Sequence, residues 1–222
     1  MPSLTVENYL KAIYQICTRQ QGPASTGKLA AAVEVSPGTV TSMLKTLSEG
    51  GLVTYTPYEG VTLTKRGTKL ALRVLRRHRL IELFLVETLG LEWDEVHDEA
   101  EHMEHAVSDR LIDRIDEVLG YPEVDPHGDP IPGADLSVKT RRSRSLAACE
   151  AGSQFQLTRV LDQSPEFLRY LSESQLSLGA EGEVIANRKE AGIVTVRIGK
   201  EESTLGRQVA EKILVAVDGD RE

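Results

Sequence analysis

A short run of histidines and carboxylates offers the clearest chemistry in this chain. Residues 97–105 read HDEAEHMEH, and the apolar periodicity around them predicts a helix. On one helix, His97, Glu101 and His105 would share a face, with Glu104 beside them. Imidazole nitrogens and carboxylate oxygens together are the ligands of borderline-to-hard divalent metals. The run therefore predicts part of a metal site.

A second pair of candidate ligands precedes this run. His78 and Glu82 lie four residues apart in a long apolar-periodic segment, so on a helix they would share a face. One His-x-x-x-Glu pair is usually an ordinary surface or structural feature, but two pairs on neighbouring helices favour a metal site. His102 would point about 100° away from the ligand face. His127 stands in a Pro- and Gly-rich loop without a partner pattern, so neither of these two is expected to bind metal.

The charge of the chain is unevenly distributed. The net charge is -8 over 222 residues, yet residues 1–80 carry 11 Lys and Arg against 4 Asp and Glu. Residues 81–135 carry 2 Lys and Arg against 17 Asp and Glu, and residues 136–222 carry 13 of each class. The basic first third indicates a surface for a polyanion such as nucleic acid. The acidic middle fits either a cation site or a solvated helical surface.

Nothing in the sequence predicts secretion or membrane insertion. There is no N-terminal apolar run and no stretch of 18 apolar residues. The only cysteines, Cys17 and Cys149, lie far apart, and no CxxC occurs. This argues against a zinc ribbon and against a disulfide-stapled secreted domain. We expect a cytoplasmic protein without a membrane partner.

Residues 1–72 predict a winged helix-turn-helix domain. Three helices are expected, with Ser36 capping the third and Pro37 at its first position, and a hairpin should follow. In this order the third helix enters the major groove and the hairpin lies along the DNA backbone. A winged domain used for protein contacts is the alternative. The candidates for DNA contact are Thr26, Lys28, Ser36, Gly38, Thr39, Thr41, Ser42, Lys45 and Lys65.

The rest of the chain predicts two further domains. Residues 73–138 should form a helical metal-binding and dimerisation domain, although the same apolar residues also fit packing within one subunit. Residues 139–149 are expected to be a linker. Strand-like runs in residues 150–222 predict a small β-barrel-like domain. The expected fold class is therefore α+β with several domains. The expected strands are 154–160, 182–187, 192–198 and 213–217, with a short helix over 165–171.

The sequence resembles the diphtheria-toxin-repressor and manganese-transport-regulator family of metal-dependent repressors across essentially its whole length. Its C-terminal part is similar to the SH3-like (FeoA-like) domain of the longer members. The resemblance implies a winged helix-turn-helix, a helical dimerisation domain and a small SH3-like barrel. The stretches that carry it are ENYLKAIY (7–14), GTVT (38–41), RHRLIE (77–82), VHDEA (96–100), EHAVSD (104–109) and GDPIPG (128–133).

The resemblance implies two metal sites. The first would use His78, Glu82 and His97. Longer members also draw a ligand from the SH3-like domain, where Glu166, or less well Gln163, is the nearest equivalent. The residues that the resemblance implies for the second site are Asn8, Glu101, Glu104 and His105.

The ligand types bear on the identity of the metal. Iron-type members have Met and Cys where this chain has Asn8 and Glu101, and oxygen ligands favour Mn(II) over softer metals. Shorter manganese-type members carry Asp and Glu where this chain has Asn8 and Lys11, so an identical manganese pair is not expected. We expect Mn(II), with Fe(II) as a second candidate and Zn(II) or Co(II) binding in vitro.

The implied function is a metal-dependent DNA-binding transcriptional repressor. It would bind a palindromic operator on double-stranded DNA as a homodimer, control metal-uptake genes and take no small-molecule substrate. Metal would tie the first helix, through Asn8, to the ligand helix. One alternative is a metal-independent winged-helix regulator whose acidic middle binds a protein. Another is a di-metal carboxylate enzyme, which the lack of a second Glu-x-x-His copy disfavours.

Overall fold

The structure, a computed structural model, describes residues 3–140 and 142–217. The last five residues of the domain predicted at 150–222 therefore lie outside the described residues. No helix in the described ranges combines the length and the apolar character needed to cross a membrane. The chain divides into two compact units, the first of residues 1–78, 103–107 and 132–137, the second of residues 79–102, 108–131 and 138–222.

The first unit contains the winged helix-turn-helix domain. The Ser25 and Ser36 side chains cap its second and third helices by accepting hydrogen bonds from backbone N–H groups three residues later. The hairpin strands pair antiparallel, and Ala24 and Val61 exchange two backbone hydrogen bonds of 2.9 Å. The elements are α1 (Leu4–Gln20), α2 (Thr26–Ala32), α3 (Pro37–Glu49), β1 (Val53–Thr56), β2 (Gly60–Leu63) and the start of α4 (Lys65–Leu89).

One apolar core holds these elements together. It contains Leu10 and Ile13 of α1, Leu44 of α3 and Val61 of β2, all fully buried. A Cβ on Gly67 would lie 2.0 Å from the carbonyl oxygen of Leu52. Only glycine therefore allows the first turn of α4 to approach the hairpin this closely.

The helices of the acidic middle differ from the prediction at one point. Helix α5 (Val96–Met103) ends because the Ala106 and Val107 N–H groups both turn back to the Met103 carbonyl oxygen. Ser108 then caps α6 (Asp109–Val118). The expectation of one helix over residues 97–105 is wrong after Met103. Glu104 and His105 lie in a turn, so helical spacing does not relate His105 to His97.

The second unit ends in a six-stranded antiparallel sheet with strand order β3-β8-β4-β5-β6-β7. Its core contains Leu157, Leu171, Val184 and Val215, which are buried. Residues 144–149, which the sequence placed in the linker, form β3 and a 3₁₀ turn that packs into this core. The elements are β3 (Arg144–Ser145), β4 (Gln154–Val160), α7 (Pro165–Glu173), β5 (Glu181–Arg188), β6 (Ile193–Ile198), β7 (Glu201–Gly206), α8 (Arg207–Glu211) and β8 (Ile213–Val217).

Candidate metal centre

Glu82 is a buried carboxylate next to two of the predicted ligands. Glu82 is 1% exposed, and it follows His78 by one turn of α4. Its Oε1 lies 3.2 Å from Nδ1 of His97, in the first turn of α5. Glu82 and His97, which the resemblance placed in one site, therefore have their ligand atoms close together.

The same carboxylate lies near His127, a residue that was not expected to bind metal. His127 is fully buried, and its Nδ1 lies 3.9 Å from Oε2 of Glu82. Glu82, Asp125 and His127 each place one ligand atom within 4.8 Å of the others. The expectation that His127 has no partners is wrong, because its partners are Asp125 and a glutamate 45 positions earlier. The Asp-Pro-His sequence of the loop was the available signal.

Two atoms of this group have the properties of metal ligands. Asp125 Oδ2 and His127 Nδ1 are buried and have no hydrogen-bond partner among the described residues. His127 Nε2 lies 2.8 Å from the Trp93 carbonyl oxygen. A carbonyl only accepts, so the neutral ring carries its proton on Nε2 and a lone pair on Nδ1. Buried polar atoms without partners are destabilising, and a divalent ion would satisfy both.

The electrostatics of the group also favour a cation. Burial, reinforced by the negative charges of Glu82 and Asp129, raises the pKa of Asp125 well above its usual range, although Arg79 opposes the shift. Without a metal, a proton on Asp125 relieves the repulsion between these carboxyl groups. A divalent ion would displace that proton, so metal binding should strengthen as the pH rises.

The loop that carries these ligands is fixed by its own backbone and by β4. Asp125 Oδ1 accepts hydrogen bonds of 2.9 Å from two N–H groups within the loop, one of them from His127. Gly128 has a φ of +83°, and a Cβ there would lie 2.1 Å from the Thr158 carbonyl oxygen. The Val160 N–H donates to the His127 carbonyl oxygen at 2.9 Å. His127 is thus held in place before any metal binds.

A lysine lies among the residues implied for the second metal site. Lys11 Nζ of α1 is 2.7 Å from Glu104 Oε1, and both side chains are buried. The other oxygen of Glu104 lies 2.6 Å from His78 Nδ1. His105 lies between two carboxylates, with Nε2 3.1 Å from Glu104 and Nδ1 2.7 Å from Glu7. Burial alone would raise the pKa of Glu104, but the hydrogen bonds and charges of His78 and Lys11 outweigh burial and lower it.

The other implied ligands are placed as follows. The Glu101 side chain is 48% exposed, and its Oε1 lies 3.7 Å from His97 Nε2. Asn8 Oδ1 is buried without a hydrogen-bond partner among the described residues. Glu166 is exposed in the first turn of α7. In the described ranges, the His, Cys, Asp and Glu groups close enough to hold a metal do not include Glu101, Glu104 or His105.

Most candidates for DNA contact lie exposed on the winged domain. Local hydrogen bonds use some of their polar atoms: Thr41 Oγ1 donates to the Pro37 carbonyl oxygen at 2.9 Å, and Lys28 Nζ donates to Gln20 Oε1 at 2.6 Å. Thr26 and Thr41 are half-buried. The exposed candidates are Lys28, Ser36, Gly38, Thr39, Ser42, Lys45 and Lys65.

The hairpin adds one residue that the sequence did not single out. Tyr58 occupies the tip between β1 and β2 with a fully exposed side chain and a φ of +69°. With Thr26, Thr41 and Lys45 it lines a groove of about 600 Å³ beside α2, α3 and the hairpin. An aromatic ring in a turn that otherwise consists of Pro, Glu and Gly was the available signal.

Comparisons with known proteins agree with this arrangement. Three family models match the chain: iron dependent repressor, N-terminal DNA binding domain, at residues 1–61; its metal binding and dimerisation domain, at 64–133; and the FeoA domain, at 144–217. The iron-dependent repressor IdeR of Mycobacterium leprae is 30% identical over 95% of this chain and 96% of its own. The diphtheria toxin repressor of Corynebacterium efficiens is 32% identical over 82% of this chain and 83% of its own.

Solved structures give the same result. A manganese-dependent transcriptional repressor in complex with manganese is 44% identical, with a TM-score of 0.86 over 96% of this chain and 99% of that one. The expected α+β fold with winged, helical and SH3-like domains is confirmed. The relatives are DNA-binding repressors and not enzymes, which excludes the di-metal enzyme. The chain therefore belongs to the iron-dependent repressor family and is a metal-dependent, DNA-binding transcriptional repressor, and its central region matches the metal binding and dimerisation domain of that family.

Proposed function

We propose that Mn(II), bound on Glu82, activates this repressor and that Fe(II) is a second activator. The observation that carries the proposal is the buried Glu82 carboxylate, which has His97 at Oε1 and His127 on the Oε2 side. Asp125 is its further ligand, and His78, one turn before Glu82 on α4, stays the ligand that the resemblance implies. Glu101 and Glu166, which the resemblance also implied, lie exposed and are not among the ligands of this proposal.

The absence of sulfur from the two ligand groups supports Mn(II). Cys17 Sγ faces the Val61 carbonyl oxygen at 3.5 Å, and Cys149 is buried with Sγ 3.6 Å from the Ser145 carbonyl oxygen. Nitrogen and carboxylate oxygen without thiolate suit Mn(II) and Fe(II) better than softer metals. Zn(II) and Co(II) would also bind in vitro, since imidazole accepts both. The 44% identical repressor that was solved with manganese supports the same choice.

Metal binding would hold three elements of the second unit together at the Glu82 carboxylate. Glu82 comes from α4, His97 from α5, and Asp125 with His127 from the loop fixed on β4. A dication cancels the repulsion between the carboxylates, so it favours the arrangement in which all three elements converge. The shift in DNA binding equals the difference in metal affinity between the two conformations, typically about 1–3 kcal/mol of coupling.

A homodimer on a palindromic operator forms the second part of the proposal. Helix α6 buries Ile112 and Ile115 but exposes Leu111 and Val118, so one apolar side remains for a second subunit. Two winged domains related by a twofold axis would read two symmetric half-sites. Control of metal-uptake genes and a cytoplasmic location complete the proposal.

The proposal is tested by fluorescence anisotropy on a labelled operator fragment at fixed salt. Parallel titrations contain EDTA, Mn(II), anaerobic Fe(II) or Zn(II). We expect tight binding with Mn(II) and weak binding in EDTA, with at least a fivefold difference in Kd, the lower limit of the expected coupling of about 1 kcal/mol. Equal binding in all four conditions would favour the metal-independent winged-helix regulator instead.

The DNA surface gives a separate prediction. Lys45 is exposed on α3 and lines the groove beside the hairpin, so its ammonium can contact a phosphate. We expect Lys45→Ala to weaken binding to all sequences alike and to reduce the slope of log K against log salt by about 1. Lys189→Ala, an exposed lysine beside the C-terminal sheet, is the control. An unchanged slope for Lys45→Ala would place this side chain away from the DNA.

A further inference from the structure

The second metal site implied by the family resemblance has a protein cation in it. That site would join α1 to the turn after α5 through Asn8, Glu101, Glu104 and His105. We infer that the ammonium group of Lys11 takes the place of this ion, so that the chain makes the connection without metal. The inference concerns this site alone and relies on the proposed function only for metal binding at Glu82.

Glu104 is the central ligand of the implied site, and both of its oxygens are engaged. Lys11 Nζ lies 2.7 Å from Oε1, and His78 Nδ1 lies 2.6 Å from Oε2. Lys11 follows Asn8 by three residues, so by the resemblance it occupies the position of the glutamate in manganese-type members. A dication on Glu104 would lie beside the ammonium and be repelled by it. The carboxylate therefore binds one cation, and that cation belongs to the chain.

His105 is engaged in the same way. Its Nε2 lies 3.1 Å from Glu104 Oε1, and its Nδ1 lies 2.7 Å from Glu7 Oε2. The 3.1 Å separation would let His105 Nε2 and Glu104 Oε1 share an ion, but the same oxygen already lies 2.7 Å from Lys11 Nζ, so an ion at this point would have to displace the ammonium group. The chain thus forms a linked series from Glu7 through His105 and Glu104 to Lys11. All of these residues belong to the first unit.

The two remaining implied ligands do not compensate for this. Glu101 is 48% exposed, and its Oε1 lies 3.7 Å from His97 Nε2. Asn8 Oδ1 is buried without a hydrogen-bond partner among the described residues, but a neutral amide oxygen does not balance the charge of a dication. The single positive charge of Lys11 therefore matches the single negative charge of Glu104. Metal responsiveness would then reside in the Glu82 centre, while Lys11 holds α1 in place at all metal concentrations.

The experiment counts bound Mn(II) per protomer in the full-length protein. The EPR signal of free Mn(II) is followed during titration of the wild type, His105→Asn, Lys11→Glu and the control Lys69→Glu, an exposed lysine on α4. We expect His105→Asn and Lys69→Glu to bind as many ions as the wild type, with Kd values within about twofold. Lys11→Glu should bind one more ion per protomer. The double variant Lys11→Glu/His105→Asn should lose that additional ion again.

Two results would overturn the inference. One is the loss of one Mn(II) per protomer in His105→Asn, and the other is no additional ion in Lys11→Glu. Circular dichroism shows whether each variant is folded, and if one fails to fold, the other decides the question. A wild type that binds no Mn(II) would refute the proposed function, whereas the additional ion in Lys11→Glu would still support the role of Lys11.

Discussion

Glu82→Gln is expected to abolish the Mn(II) dependence of operator binding and to weaken Mn(II) binding at least a hundredfold, beyond the 10–100-fold that loss of an outer-shell partner typically costs. The amide keeps the shape of the side chain but removes the charge that His97 and His127 face from its two sides. The substitution also removes a charge that raises the pKa of Asp125. The variant without metal should therefore be at least as stable as the wild type.

A control variant distinguishes loss of metal binding from loss of the folded structure. Glu87→Gln removes an exposed carboxylate from the same helix and serves as the control. Isothermal titration with Mn(II) and operator anisotropy are measured for both variants. Wild-type Mn(II) affinity in Glu82→Gln would contradict a metal centre on this carboxylate, whereas DNA binding weaker than that of the wild type in EDTA would point to a damaged winged domain.

Lys11→Met is expected to destabilise the protein by about 3–5 kcal/mol near neutral pH, the range measured when one partner of a buried ion pair is removed. Glu104 is completely buried, and the substitution removes the ammonium group that lies 2.7 Å from its Oε1. With about 2–4 °C per kcal/mol for a chain of this size, the melting temperature of the variant should fall by roughly 10 °C. Differential scanning calorimetry in EDTA measures this directly.

The pH dependence of this effect has a definite sign. In the wild type the pKa of Glu104 is lowered, so its contribution to stability is complete above the unfolded pKa and is lost as the pH falls through the folded pKa. Without Lys11 the pKa rises, and the buried carboxylate can be neutralised by a proton. The destabilisation by Lys11→Met should therefore be smaller at pH 5 than at pH 7.5. Lys69→Met, at an exposed position on α4, should show little destabilisation at either pH. An equal loss at both pH values would mean that lost packing, and not lost charge, is the cause.

The winged domain was predictable because its signals are local. Ser36 followed by Pro37 marks the start of α3, and the structure confirms the cap with a hydrogen bond from Thr39 N–H. The structure contains the three helices and the hairpin in the predicted order. His78 and Glu82 could be singled out because one helix sets their spacing, whereas the place of His97 beside them was implied by the family resemblance.

The remaining features depend on a local turn or on partners that are distant in sequence. The turn in which the Ala106 and Val107 N–H groups reach back to the Met103 carbonyl oxygen ends α5 and moves Glu104 and His105 out of the predicted register. His127 lies near Glu82, which is 45 positions away, and Lys11 contacts Glu104, which is 93 positions away. Sequence spacing could not predict either contact. Strand β7 (Glu201–Gly206) was missed because it is a polar edge strand with one buried residue, Leu205, and exists through pairing with β6.

The close contact of Gly128 with β4 connects the C-terminal domain to the proposed metal centre. The loop that carries His127 rests on the Thr158 carbonyl oxygen and is held by Val160 N–H. A chain truncated before β4 would keep Glu82 and His97 but lose the surface that holds His127 in place. The C-terminal domain therefore restricts the movement of the loop that carries His127, and so it limits the positions that this side chain can take.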